Sequence, residues 1–360
     1  MTQEKIAFVT GATGLLGNNL VRLLLAEGYR VRALARSERK AMEQFGELTG
    51  SRLEVVLGDL TDVKGFAPAL RGCQVIFHAA AYFRESYKGG RHLDALRKTN
   101  VEGTQNLLRE AYTAGIRRMV HISSIAVLGR NDSGLTDESM VLAIEEAPDD
   151  YYRSKIETDA VIFAFLDSHP DMHISLVLPG WMHGPGDLGP TSAGQFVEDY
   201  LQQKIPGVID AAFSVVDARD VAQVALASSQ TGERGERYLA AGHPVSMAGL
   251  LQAMEAVSGV PAPRRELPRA LLYAIASLQE IYARLTGKPV LLSLATVKNM
   301  ANDYGRKFSS EKIRTRFGLG FRPMEETLAE EVAWIRQRMA RAGMRQSGKE
   351  NIGFANGGRR

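Results

Sequence analysis

The sequence predicts an α/β fold: a doubly wound parallel sheet with a smaller, mostly helical C-terminal unit built onto it. Three observations predict it. Short apolar runs alternate with longer helical patterns over the first two-thirds of the chain. The clearest runs are dense in Val, Ile and Leu with little polar alternation, as strands are when helices cover both faces of their sheet. Strand, helix, strand, helix in that order demands right-handed βαβ crossovers, which stack into an open sheet.

The strand runs are Ile6–Val9, Arg30–Leu34, Leu53–Leu57, Val75–His78, Met119–Ser123 and Ile174–Leu178. The helical patterns between them are Gly14–Glu27, Glu38–Leu48, Val63–Leu70, Leu93–Ala114 and Tyr151–Ser168. After Leu178 the pattern degrades. Pro and Gly punctuate 179–194, which reads as loop. Ala212–Ser229 reads as one more strand-and-helix unit returning to the main sheet. From Gly232 the chain turns to short strands and amphipathic helices, notably Pro268–Leu285 and Glu325–Arg341. Residues 346–360, rich in Gly, Asn and Arg, read as a disordered tail.

Composition narrows the function classes. Apolar residues at 45% and charged residues at 24% of the 360 place the chain among globular proteins and exclude disorder. With 44 Lys and Arg against 41 Asp and Glu, the net charge is +3 and the basic residues are scattered, so no nucleic-acid partner is expected. Cys73 is the single cysteine, which excludes intramolecular disulfides and multi-thiolate zinc sites. The polar start MTQEK leads straight into a strand pattern, and no long uncharged apolar run follows. Neither a secretory signal nor a membrane span is expected, and the implied location is cytoplasmic.

The first strand run leads into T-G-A-T-G-L-L-G, Thr10 to Gly17, and then into a helical pattern. Gly11, Gly14 and Gly17 have the spacing that lets backbone N–H groups approach a pyrophosphate, with the third glycine seating the helix tightly on the strand. The helix N-terminus adds free N–H groups and the positive end of its dipole. A dinucleotide is therefore expected, contacted by Gly11, Thr13, Gly14, Leu15, Leu16 and Gly17. An acidic residue at the end of the second strand would bind ribose hydroxyls, whereas an arginine accommodates a 2′-phosphate. Ala35 stands at that position, followed by Arg36, Ser37, Arg39 and Lys40. No carboxylate competes there, and a guanidinium suits phosphate. The expectation is NADP, held by Arg36 and Lys40 with Arg39 as solvated loop, and NAD is the alternative. Asp59, with Leu60 beside it, either meets the adenine or caps a helix. Ala79, Ala80 and Ala81 are small enough for a cofactor to cross the sheet edge, and Pro179 completes the expected contacts.

Tyr151 and Lys155 stand four apart at a helix start, on one face, with Asp149 and Asp150 as capping residues. An adjacent ammonium would draw the phenol's pKa down from about 10 toward usefulness as an acid or base. The spacing alone is commonplace. Its weight comes from Ser123 and Ser124, hydroxyls at the carboxyl end of the fifth strand, which faces the ligand crevice of an open α/β sheet.

TGATGLLG, the Asp59 strand end, HAAA, TNVEGTQNLL, HISSIAVLG and YYRSK, in this order and at these separations, resemble the extended short-chain dehydrogenase/reductase family over about the first 230 residues. The resemblance implies a Rossmann sheet and a catalytic set of Ser124, Tyr151, Lys155 and Asn100. Ser124 is preferred to Ser123 because it lies five residues before Gly129, as in the family's S-x-x-x-x-G pattern. Tyr151 is preferred to Tyr152 because it alone is four before the lysine. Asn100 would position the lysine through water, or simply break a helix. VRALAR, the VDARDVA segment and the C-terminal third look most like the dihydroflavonol 4-reductase and 3β-hydroxysteroid dehydrogenase branch, and bacterial hopanoid-associated sugar epimerases are also similar. Two departures argue against a sugar nucleotide: Leu178-Pro179 and His183-Gly184-Pro185-Gly186 stand where R-P and Y-G-P-G are usual, and Ile125-Ala126 follow Ser124 where dehydratases carry T-D-E.

Tyr82 and His183 are the expected substrate contacts, although a loop histidine is more often polar surface. His78 reads as a packed strand-end residue. His169, Asp171 and His173 read as solvated surface, and no metal site is expected. The apolar run Leu271–Leu278 with Ile281 and Leu285 reads as a pocket wall or a subunit contact rather than a membrane-surface helix, and hints at an apolar substrate. The expected domains are 1–178 plus about 208–230, binding NADP, and about 179–207 plus 231–345, binding substrate. The expected activity is NADP-dependent interconversion of a carbonyl and an alcohol, with a possible homodimer. A nucleotide-sugar epimerase retaining NAD is the alternative, and a non-catalytic NADP-sensing protein is a remote one.

Overall fold

The structure is a computed structural model and describes residues 5–48, 50, 52–83, 92–131, 134–286, 294, 297 and 306–355. The first half alternates as the apolar runs dictate: β1 (Ile6–Thr10), α1 (Leu15–Ala26), β2 (Arg30–Ala35), α2 (Glu38–Phe45), β3 (Leu53–Leu57), α3 (Val63–Phe66), β4 (Val75–His78), α4 (Leu93–Leu96), α5 (Gly103–Thr113), β5 (Arg118–Ile122), α6 (Asp150–Ser168) and β6 (His173–Pro179). There follow β7 (Trp181–His183), α7 (Ser192–Leu201), β8 (Ala212–Asp217), α8 (Ala218–Thr231), β9 (Arg237–Ala240), β10 (His243–Ser246), α9 (Met247–Ser258) and α10 (Arg269–Thr286). Two further helices, Glu311–Phe317 and Met324–Ala355, end the described chain.

Seven strands form the main sheet in the order β3-β2-β1-β4-β5-β6-β9, every neighbour parallel. Strand alternation sends Ala7 and Val9 to one apolar layer and Phe8 to the other, so both faces are covered by helices. The strand order reverses between β1 and β4. An open α/β sheet offers its ligand crevice at such a reversal, outside the carboxyl ends of the strands.

Four sequence expectations change. Ala212–Ser229 does not return to the main sheet as a strand: β8 pairs with β7 and β10 in a separate three-stranded sheet, and β9 is the seventh main-sheet strand. The reason is that β8 serves two cores. Val216 faces the layer beneath α1 and α8, while Val215 packs with Tyr200, Leu250 and Leu328 in a third core. Residues 179–194 are not simply loop. Gly180 joins β6 to β7 at a point where a Cβ would lie 2.4 Å from the Ala241 oxygen and 2.5 Å from that of Ser214, so glycine there marks close packing rather than slack. The helical stretch 93–114 is broken by a π-helical turn, Arg97–Glu102, which carries Asn100. At the C-terminus, Met324–Ala355 runs as helix through 346–355, where composition suggests disorder. No proline stops it, and 356–360 lie outside the described residues.

Candidate active site

The glycine turn sits at the carboxyl end of β1, against the end of β4. Gly11 has φ +66°, and a Cβ on it would stand 2.7 Å from the Ala80 nitrogen and 2.8 Å from the Ala79 carbonyl carbon. A Cβ on Gly17 would stand 2.2 Å from the Gly11 oxygen. The turn closes through the Gly14 nitrogen donating to the Gly11 oxygen at 2.9 Å. Gly14 then caps α1 with no side-chain hydrogen bond and no acidic residue in the first turn, so the first N–H groups of the helix face outward with no carboxylate against them. This cradle fits a pyrophosphate. Leu15, Leu16 and Leu60 are buried, so only their backbone could meet a cofactor. Thr13, Ala79 and Ala80 are half-buried, Ala81 is exposed, and Pro179 is buried at the end of β6.

At the end of β2, Ala35 is buried and Arg36 stands out with its side chain 75% exposed. Ser37 caps α2 by accepting from the Lys40 backbone nitrogen. Asp59 is a cap in fact: its carboxylate accepts from the Thr61 nitrogen and hydroxyl, both at 2.8 Å. It also lies 4.0 Å from the Arg36 guanidinium, so the two faces expected at the adenosine end are neighbours.

The residues expected to transfer the proton converge from the end of β5 and from α6. Asp149 caps α6 by accepting from the Tyr151 and Tyr152 nitrogens, which fixes the helix start and with it the phenol. The Tyr151 phenol hydrogen-bonds the Ser124 hydroxyl. Ser123 and Ser124 point apart: Ser123 donates to Asp159 at 2.8 Å, and Ser124 caps the turn Ile125–Val127. Lys155 is buried and donates to the Ile122 oxygen at 3.1 Å. Burial lowers its ammonium to about 8, with Asp159 pulling the other way. Burial also pushes the Tyr151 phenol upward; Ser124 opposes the shift and Asp149 adds to it. That direction corrects the lowering suggested by the Tyr–Lys spacing. Desolvation outweighs the Ser124 hydrogen bond, and the Lys155 ammonium turns to the Ile122 carbonyl.

Residues 7–241 match the NAD dependent epimerase/dehydratase family. The chain belongs to this family. Within it, the protein is an NAD(P)-dependent oxidoreductase of the extended short-chain dehydrogenase/reductase type. It is 33% identical over 335 residues to sterol demethylase protein B of Methylococcus capsulatus, covering 92% of this chain and 98% of that one. It is 32% identical over 333 residues to a putative dihydroflavonol 4-reductase of Synechocystis, covering 91% and 94%. Its fold is similar to the crystal structure of gox2253, with TM-score 0.78 and 29% identity over 93% of this chain and 99% of that one. A nucleoside-diphosphate-sugar epimerase from Pseudomonas aeruginosa shares the fold at TM-score 0.74 and 22% identity, over 93% and 98%.

Several residues of this epimerase/dehydratase-family site were not legible in the sequence. A buried polar chain runs from the glycine turn to α6. The Ala80 nitrogen donates to Thr10 at 3.2 Å, and Thr10 meets His78 Nδ1 at 2.7 Å. His78 Nε2 meets Thr104 at 2.9 Å, and Thr104 donates to the Asn100 oxygen at 2.5 Å. These directions leave His78 neutral with its proton on Nε2, and burial holds its pKa down to about 3. The Asn100 side chain is held between Tyr82 and α6. Its amide donates to the Tyr82 oxygen and to Ser154, both at 3.1 Å, and it accepts from the Tyr82 nitrogen at 2.7 Å. The π-helical turn aims it there, pinning 82–83 against α6. The Phe83 ring consequently lies 4.6 Å from that of Tyr151, and Leu142, Ala126 and Ala147 extend an apolar wall. The Tyr82 hydroxyl meets His92 Nδ1 at 2.9 Å.

His183 is corrected. It is fully buried, with Nδ1 2.8 Å from Glu331 Oε2, and ties β7 to the C-terminal helix rather than facing a substrate. As the last residue of β7, it is carried by the pairing with β8 under that helix. His169, Asp171 and His173 take separate partners in Phe165, Arg117 and Gly232.

His121 lies beside His78, with ring centroids 5.2 Å apart, and neither of its ring nitrogens has a partner among the described residues. Burial holds its pKa well below 6.5. Unfolding restores the ordinary value, so below about pH 6.5 the unfolded chain binds the extra proton and stability falls with pH. The melting temperature of His121→Phe is expected to depend less steeply on pH below about 6.5 than that of the wild type. Equal slopes would show that the site is not desolvated.

Proposed function

We propose that the protein interconverts an apolar ketone or aldehyde and its alcohol with NADP as redox partner. The observation that carries this reading is the Tyr151 phenol, hydrogen-bonded to Ser124 and packed against Phe83, Ala126, Leu142 and Ala147. Bound NADPH supplies the hydride to the carbonyl carbon. Tyr151 gives its proton to the carbonyl oxygen, and Ser124 holds that oxygen within hydrogen-bond reach. Lys155, which is 4% exposed, presents a cation from behind that favours the phenolate once the proton has left. Asn100 keeps the Phe83 wall in place. In this reading 1–178 with about 208–230 bind the cofactor, and about 179–207 with 231–345 select the substrate.

The preference for NADP rests on Ala35, Arg36 and Lys40. Arg36→Ala is expected to raise the KM for NADPH about 10–100-fold, the value of a charge-assisted phosphate contact, and to leave that for NADH nearly unchanged. Equal changes for both cofactors would remove Arg36 from the phosphate. The substrate reading is tested by NADPH oxidation over a panel of ketones, aldehydes and sugar nucleotides. Turnover confined to sugar nucleotides, with retained NAD and no net NADPH use, would refute it.

A further inference from the structure

Helix α10 has two apolar faces, and among the described residues only one is covered. Leu272 and Ala276 are buried against Ile209, Leu267, Leu294 and Val297. On another side of the helix, Leu271, Leu278, Ile281, Tyr282 and Leu285 are exposed by 40, 67, 54, 52 and 81%. At 100° per residue these five fall within about a third of the circumference, with exposed Ala270 and Ala274 among them. No charged side chain interrupts the stripe among the described residues. A continuous exposed apolar stripe on a surface helix marks a contact with something.

From these residues we infer that α10 docks the protein on an anionic lipid surface, lying in the plane of the interface. Three features favour lipid over a second copy of the chain. The segment 264–288 holds five Arg and Lys against two Glu, a surplus equal to the +3 of the whole chain, so the rest of the sequence is balanced. Arg264 and Arg265 are exposed just before the helix. Basic flanks beside an apolar face are what an interfacial helix needs to meet acidic headgroups. Tyr282 lies at one edge of the stripe, where an amphipathic ring sits between acyl chains and headgroups. The stripe is also too small for a stable dimer, which uses about 20–30 residues on each side. Its two heptads fall short of the roughly three to four of a coiled coil. No helix of the described residues is long and apolar enough to cross a membrane, so this helix lies on the surface. The inference stands apart from the reading of the active site.

The test is flotation of the purified full-length protein with phosphatidylcholine vesicles, with and without phosphatidylglycerol. Wild type is expected to float with the anionic vesicles, less so at high salt. Leu278→Glu is expected to lower partitioning at least about tenfold, as loss of one buried leucine predicts. Leu285→Glu, on the most exposed position, provides a second variant that leaves the helix packing untouched. Arg264→Glu/Arg265→Glu is expected to abolish the preference for phosphatidylglycerol. Circular dichroism and NADP(H) binding unchanged in each variant show an intact fold. Wild type that floats with neither vesicle overturns the proposal. So does a dimer in light scattering that Leu285→Glu dissolves, which would make a second copy the occupant.

Discussion

Replacing Tyr151 with Phe is expected to cut kcat by about 10²–10⁴-fold while leaving NADP(H) affinity intact. The substitution removes one oxygen and keeps the ring, so the packing against Phe83, at 4.6 Å between centroids, survives. The Asp149 cap holds the backbone and does not depend on the hydroxyl. What goes is the hydrogen bond to Ser124 and, in the proposed reaction, the proton for the carbonyl oxygen. The fold by itself raises the phenol and lowers Lys155 to about 8, so both buried groups resist ionisation. A phenol so shifted stays protonated at neutral pH, the form that the reductive direction needs. Loss of turnover with unchanged cofactor binding in a fluorescence titration is the expected pair of results. A Tyr151→Phe enzyme with near-native turnover would remove the phenol from the chemistry.

Gly11→Ala is expected to weaken NADP(H) binding by at least about tenfold and to destabilise the fold by roughly 1–2 kcal/mol. Two costs combine. The residue sits at φ +66°, which a Cβ disfavours, and that Cβ would press on the Ala79–Ala80 backbone at 2.7–2.8 Å. The turn must move, and Gly14 and the start of α1 move with it. Gly28→Ala is the control. Gly28 has φ +82° with nothing within 4 Å of a Cβ, so it carries the backbone cost without the collision. Both variants should lose melting temperature, and only Gly11→Ala should lose the cofactor. Equal loss of affinity in the two would show that general destabilisation, not the cradle, is being measured.

How much of the site could be read from the sequence follows from where each residue's partners lie. The six strand runs fall within one residue of β1 to β6 because apolar burial on both faces writes itself locally. Tyr151 and Lys155 share a helix face because a helix places residues four apart on one side. Ser124 required a pattern borrowed from relatives to be chosen over Ser123, and the reason for the choice is tertiary: Asp159 takes Ser123. The partners of Asn100, Tyr82 and Ser154, were invisible in the sequence, because a π-helical turn sets its direction. His183 was misread because Glu331, its partner, lies 148 residues away. The strand at 212–217 was misassigned because neither its composition nor its length says which sheet it joins.

By itself, then, the sequence determined the alternating α/β core, the glycine turn opening a helix, the basic end of the second strand and the Tyr–Lys helix face. Each depends on hydrophobic periodicity, backbone freedom or helical spacing, which act over a few residues. Only the tertiary structure decided which sheet received β8 and which serine met the phenol. It alone joined the turn to α6 through Thr10, His78, Thr104 and Asn100, and left one face of α10 bare. Those outcomes depend on desolvation and on partners far apart in the chain, and no local pattern encodes them.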